Sequence, residues 1–561
     1  FGSQAPIQTP LPTRPRSPQE CVRSGMVANM RFPLLCALLA SGGKAENNDP
    51  LPGLRRVVVL ARHGNRAPNP QIEELCPTFW KEVFPKFGVA PAALSLVGMA
   101  ENHENGVFLR HRYREFLPEG AYSYDGTFSF FSERVERNIV STASLARGLF
   151  PLGTGMEGFA PERPNIVPIA TTQDGADVIM NCPRDGPCQR ALSRDKKAWV
   201  SANEVQVYER HKELFRVVSE ACGYPLEPGK IVYQGKSKPL TWGAKSVMDA
   251  FTFSENEGLD PTMNGRLNMS TIKAFHEVVE GMVQGMNFGK PHQITYWTGD
   301  FIPTFLRLAR VPLVDAINQL HVFLNHRELL YSVSHMLGLP IRFPGQREDT
   351  VPSGSSLLME VYDHGVRLFF WSPSQPSHEE KARYLAERRP MSELYGSGVL
   401  QPTAAFGCVA SEPCPVEALA YSFLEWVTRT GTYVRLCNVS VEDTYFAKGE
   451  ASLGVMEDWV QPAVLAARGV NLTRPSVKAM GLTASDAEAL GFALAADDSE
   501  DSHLRGVAGG AGDAASFTVL GVAGFSMAMS LVTGVLGFAF GRQTARSPAA
   551  PAGEAPYVQL S

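Results

Sequence analysis

The stretch RVVVLARHGNRAP, Arg56 to Pro68, sets two arginines around a histidine directly after an apolar run. Arg62 and Arg66 supply fixed positive charge and forked donors that match phosphate oxygens. His63 supplies a nucleophilic ring nitrogen, and Gly64 is expected to let the backbone turn close to a bound anion. Together these groups suit phosphoryl transfer through a phosphohistidine, in which imidazole attacks phosphorus and the arginines neutralise the transferring group.

Such a cluster needs a strand to aim it. Val57, Val58, Val59 and Leu60 are apolar without alternation, which reads as a strand buried on both faces, and α/β sheets bind ligands at the strand ends. Downstream, Leu94 to Phe116 reads as a helix with a basic, solvated end, Tyr122 to Phe131 as a strand, and Arg137 to Phe150 as a helix ended by Gly148 and Pro151. Residues 175–295 are mostly helical in pattern, and Ser270 or Thr271 can cap the helix bearing Ile272, Phe275, Val279 and Met282. Leu320 to His326 is strand-like and Arg327 to Pro340 helix-like. Ser356 to Tyr362 and Val366 to Trp371 read as a hairpin around Asp363-His364-Gly365. The expected fold is α/β, a three-layer sandwich with a central, mostly parallel sheet between helices, plus a smaller helical cap.

The order of these elements extends the motif into a family pattern. ARHGNRAP after a buried strand resembles the RHGxRxP signature of the histidine acid phosphatases, a branch of the histidine phosphatase superfamily. LSLVGMAENHENGVFLRHRY resembles the helix that follows it there, and SERVERNIVSTASLARGLFP the next signature, which implies Arg137 as a third phosphate-binding arginine. Phe131 stands where the family usually has another arginine. HRELLYSVSHMLGL resembles the second catalytic stretch, which implies His326 as a phosphate-binding histidine, and SSLLMEVY matches the strand after it. The resemblance covers about residues 54 to 440.

One position departs from the family. Its members carry Asp after the second histidine to protonate the leaving oxygen, and here Arg327 stands there, a group that does not give up its proton in proteins. The multiple inositol polyphosphate phosphatases use His-Ala-Glu, so His326-Arg327-Glu328 implies Glu328 as the acid. Glu in the first turn of a helix is also favoured by the macrodipole alone. The implied activity is hydrolysis of a small-molecule phosphomonoester without a metal cofactor. Two alternatives stand beside it: an inositol polyphosphate phosphatase or phytase, against which the middle region shows no obvious lysine cluster, and a pseudo-phosphatase that binds phosphate without turnover. The remaining histidines, among them His103, His111, His335 and His364, have no metal-ligand spacing.

Composition and the chain ends bear on compartment. A net charge of -5 gives no reason to expect nucleic acid. Residues 1–29 are expected to be unstructured or untranslated. MRFPLLCALLASGGKA reads as a signal peptide over 30–45, and 441–513 as a stalk with some helix. Residues 514–541 carry no charge, long enough for one membrane helix, and Arg542 and Arg546 place the tail, 542–561, in the cytoplasm. Tyr557-Val558-Gln559-Leu560 fits a Tyr-x-x-Φ sorting pattern. The expected layout is a type I single-pass protein, lysosomal, endosomal or at the cell surface, with its catalytic domain, about 50–440, on the lumenal or extracellular side. Three sequons, at Asn268, Asn438 and Asn471, agree with it. Of the nine cysteines, the resemblance implies pairing of Cys182 with Cys437 and of Cys408 with Cys414. Cys222 is left to pair with Cys188 or Cys76, or to stay free. Histidine acid phosphatases often dimerise, so a homodimer is compatible with the resemblance.

Overall fold

The computed structural model describes residue 50 and residues 52–438, apart from 115–116, 118–126, 156–157, 159, 173–174, 176, 311–318, 344–345, 347–349, 397 and 406. The regions read as signal peptide, stalk, membrane helix and sorting tail all lie outside the described residues. Among the described residues no helix is long and apolar enough to cross a membrane.

Seven strands form the central sheet: β1 (Leu54–Arg62), β2 (Phe128–Ser132), β3 (Ile169–Thr171), β4 (Gln319–Asn325), β5 (Ser356–Tyr362), β6 (Gly365–Ser372) and β7 (Val399–Thr403). Their spatial order is β3-β2-β4-β1-β5-β6-β7. The pairings from β3 through to β1 are parallel, and those from β1 onward antiparallel. The sheet is therefore mixed, although most strands still point one way. β1 sits in the middle, and Val57 to Ala61 are fully buried because both faces are covered.

The α-helices of eight or more residues are α1 (Leu96–Arg112), α2 (Glu136–Leu149), α3 (Gln189–Arg210), α4 (Lys212–Cys222), α5 (Leu240–Glu257), α6 (Met269–Phe288), α7 (Pro291–Thr298), α8 (Phe301–Arg310), α9 (Arg327–Met336), α10 (His378–Ala386) and α11 (Val416–Thr430). The apolar run of β1 divides by pleat between two cores. Val57, Val59 and Ala61 join Leu109, Leu145 and Leu149 of α1 and α2. Val58 and Leu60 join Phe305, Leu330, Val333 and Leu419 of α8, α9 and α11. A further core, with Phe215, Val247, Phe251, Phe275 and Val279, is built by α4, α5 and α6.

Two glycine contacts bring α1 against its neighbours. A Cβ on Gly64 would lie 2.1 Å from the carbonyl oxygen of Gly98, and one on Gly98 would lie 2.0 Å from that of Asn65. The loop after β1 thus rests directly on the first turn of α1. Gly106 and Gly148 make the same kind of approach between α1 and α2. Gly64 has no positive φ, so close contact, rather than an unusual turn, is what requires glycine there.

Some expectations are corrected. The basic end of α1 is not wholly a solvated face. The Arg112 side chain is 5% exposed, its Nε donates to Glu360 Oε1 at 2.8 Å, and the pair ties α1 to β5. Asn268, rather than Ser270 or Thr271, caps α6, its Oδ1 accepting from Thr271 N–H at 2.7 Å. The bridges are Cys76–Cys222, Cys188–Cys437 and Cys408–Cys414. Cys182 is a buried free thiol, not the partner of Cys437. The Cys188 N–H bonds to the Cys182 carbonyl at 3.1 Å and folds the turn so that both sulfurs converge, 3.4 Å apart. Cys188 is the one that meets Cys437.

Candidate functional site

The two motifs meet because β1 and β4 are parallel neighbours, with Arg62 opposite Asn325 in the register. Both chains leave the sheet at the same edge, and His63 N–H bonds to the Asn325 carbonyl at 2.8 Å. The rings of His63 and His326 lie edge to face, 5.0 Å between centroids.

His63 has a defined tautomer. Its Nδ1 lies 2.7 Å from the carbonyl oxygen of Gly64. A carbonyl only accepts, so Nδ1 carries the proton and Nε2 keeps its lone pair. Burial, followed by the charges of His326, Arg137, Arg62 and Arg66, holds the imidazole well below its ordinary range. The nitrogen therefore stays unprotonated, and nucleophilic, in acid.

Arg62, Arg66 and Arg137 are gathered around it. Arg62 donates to the Val351 carbonyl. Arg66 donates to Ala67 and Asn69, lies over the Phe253 ring at 4.2 Å and is 3.6 Å from Asp249. Arg137, in the first turn of α2, has Nη2 3.3 Å from His326 Nε2. Burial lowers all three guanidinium groups, Arg62 to about 10 and Arg66 to about 9, yet leaves them charged. The Nε atoms of Arg62 and Arg137 are buried without a hydrogen-bond partner. An unpaired buried donor is costly, so these two N–H groups have what an anion would satisfy. Phe131, at the family's arginine position, stacks on Phe323 instead.

Glu328, in the first turn of α9, is buried and accepts from Arg184 Nη2 at 2.9 Å. Burial pushes its carboxyl up, but Arg184, Arg327, His326 and Lys245 outweigh that and hold it well below the usual carboxylate range. Arg327 turns to Glu280 of α6, 3.2 Å away. The structure thus brings together Arg62, His63, Arg66, Arg137, His326 and Glu328, with Glu328 as a carboxylate in the unliganded pocket.

Sequence reasoning missed several neighbours. Glu133 Oε2 lies 2.7 Å from His326 Nε2. Lys245 and Asp249, 2.5 Å apart, project from α5 toward the charges of Arg66 and Arg327. Arg184 and Lys196 both lie over the ring of Trp297, at 5.1 and 5.7 Å. Only the i,i+4 charge pair on the apolar helix α5 gave a signal that could have been caught. Among the described residues no group of three or more His, Cys, Asp or Glu side chains could hold a metal ion.

A neutral imidazole beside buried, unpaired arginine N–H groups at the end of a sheet strand is an arrangement that suits an anion such as phosphate. Residues 53–214 match the family model of the histidine phosphatase superfamily (branch 2). It is 26% identical to prostatic acid phosphatase of Bos taurus over 180 residues, 30% of this chain and 42% of the relative. It is also 26% identical to lysosomal acid phosphatase of Xenopus laevis over 208 residues, 36% and 44% of the two chains. The chain thus spans less than half the length of these curated relatives. Among solved structures it is similar to a phytase from Klebsiella sp., with a TM-score of 0.48 at 15% identity, covering 68% of this chain and 97% of that one.

Proposed function

We propose that the chain is an acid phosphatase that hydrolyses small-molecule phosphate monoesters through a phosphohistidine on His63. The observation that carries this is the fixed His63 tautomer beside the unpaired Nε donors of Arg62 and Arg137. His63 Nε2 attacks phosphorus and the ester oxygen leaves on the opposite side. Arg62, Arg66, Arg137 and His326 hold the phosphoryl oxygens and balance the charge that builds on them. Glu328 gives its proton to the leaving oxygen. It can take up that proton once the substrate's negative charge draws Arg184 away from it. As a carboxylate again, it then removes a proton from the water that attacks the phosphohistidine, returning His63 to its starting state.

A multiply phosphorylated substrate, such as an inositol polyphosphate, is the second reading. It is favoured by the basic side chains Arg184, Lys196, Lys245 and Arg327, which interact with one another and with Glu328 beside the catalytic pair. The similarity to prostatic and lysosomal acid phosphatases supports a lumenal or extracellular catalytic domain; the signal peptide over 30–45, the stalk over 441–513 and the one membrane helix over 514–541 rest on the sequence pattern alone.

The test is turnover of an aryl phosphate at about pH 5, beside His63→Ala. Activity that vanishes in the variant is the expected result. Wild-type activity no higher than the variant's refutes the enzyme reading. Relative rates on inositol hexakisphosphate and a simple monoester decide between the two substrate classes.

A further inference from the structure

We propose that Glu133 is the proton reservoir of His326: the proton held between Glu133 Oε2 and His326 Nε2, 2.7 Å apart, passes from the carboxyl to the imidazole when a phosphate dianion enters the cradle. This rests on the reading of His326 as a phosphate ligand.

Glu133 follows β2 directly and is 1% exposed. Its oxygens are fixed by neutral amides, Oε1 by Asn181 Nδ2 at 2.6 Å and Oε2 by Asn138 Nδ2. The Asp185 side chain, on the helical turn Cys182–Asp185, also hydrogen-bonds Glu133, a contact between two carboxyl groups that needs a proton on one of them; the other titratable groups around the pair are Arg137 from α2, Arg184 from the same turn, Glu328 from α9, and His63 and Arg66 from the loop after β1. Arg137 Nη2, 3.3 Å from His326 Nε2, can donate to that nitrogen only while it is unprotonated. Burial pushes Glu133 up, while burial and the charges of Arg137 and Arg184 push His326 down. In the free pocket both effects place the proton on the carboxyl.

A dianion reverses the field at His326. The Glu133 O–H bond breaks and the Nε2–H bond forms, leaving an imidazolium toward the phosphate and a carboxylate behind it. The proton count is unchanged, and no solvent proton is needed. As a carboxylate hydrogen-bonded to an imidazolium, Glu133 acts through His326 and is a positioning residue. The reservoir empties as pH rises through the raised pKa of Glu133, so the cradle loses affinity toward the alkaline side.

Sulfate is a suitable probe, because it stays a dianion across the working range and is not hydrolysed. Calorimetry at about pH 5, in buffers of different ionisation enthalpy, should show sulfate binding to the wild type without net proton uptake. Glu133→Gln keeps an acceptor for His326, and Asn181 can flip to meet it because its Oδ1 is buried without a partner. The variant should take up close to one proton on binding and bind about 10- to 100-fold more weakly. Uptake of close to one proton by the wild type overturns the proposal, as does a variant that matches the wild type in both affinity and uptake. If the variant does not fold, the wild-type measurement decides alone. Turnover relative to His63→Ala, read separately, reports on the enzyme reading and leaves the proton count interpretable.

Discussion

Glu257 should make the folded protein more stable in acid. Its carboxylate lies under the loop after β1, where Oε2 accepts from Asn65 Nδ2 at 2.7 Å. Asn65 N–H bonds to a second buried carboxylate, Glu101, at 2.8 Å. Lys381 is the cation facing both, and burial lowers it. Burial is the main influence on Glu257, which is pushed up to about 7 from an ordinary 4.5. A carboxyl with a raised folded-state pKa binds its proton more tightly in the folded than in the unfolded chain. Its full stability is therefore present below the unfolded value, falls as pH rises toward about 7, and is lost above it. The gap corresponds to about 3 kcal/mol, at ~1.4 kcal/mol per pH unit. Glu257→Gln keeps the acceptor for Asn65 and cannot ionise. Denaturant unfolding of wild type and variant, at about pH 4.5 and pH 8, should give similar stabilities in acid and a variant more stable by about 3 kcal/mol at the higher pH. Parallel pH profiles for the two proteins would refute the reasoning, because other titrating groups are common to both.

Two further substitutions test the site and the disulfides. Glu328→Gln should slow hydrolysis of alkyl phosphates by about 10²- to 10⁴-fold and of aryl phosphates much less, since only poor leaving groups need the proton; equal losses on both would remove Glu328 from the acid role. Cys182→Ala should leave Cys188–Cys437 intact by peptide mapping, whereas a loss of about 2–4 kcal/mol in stability would mark Cys182 as half of a bridge.

What the sequence made legible was whatever is written locally. The run Val57 to Leu60, the Arg62-His63-Gly64 stretch that follows and the helix starting at Arg137 each carry their own pattern, and the structure places them with small shifts at the ends. The pairing of distant groups was not written there. Glu133 and His326 are separated by about half of the domain, and no periodicity distinguishes a glutamate after a strand from one in a solvated turn. Arg112 looked solvated because its neighbours in sequence are basic, and Glu360, which buries it, lies on another strand. Cys182 and Cys188 are close enough in sequence for either to meet Cys437, and the backbone turn between them decides.

The arginine at position 327 now appears as part of a redistribution of charge. Arg327 is matched by Glu280, Arg184 by Glu328, and Arg66 and Lys245 share Asp249. Nearly every cation of the pocket already has a carboxylate, so an incoming anion must compete with internal ion pairs. The free Nε donors of Arg62 and Arg137 are the exception, and they lie beside His63, where the proposed reaction seats a single phosphate. Lys196 is a second exception, with no carboxylate within ion-pair distance among the described residues. Burial and the nearby Arg184 push it down to about 7, so it is charged in acid and largely neutral above that. One phosphate therefore needs no ion pair broken at its unpaired donors, and a second finds an available cation only at low pH. On the proposed reading, the resting pocket suits a single phosphate group at any acid pH, and a polyphosphate would gain extra hold as Lys196 becomes charged.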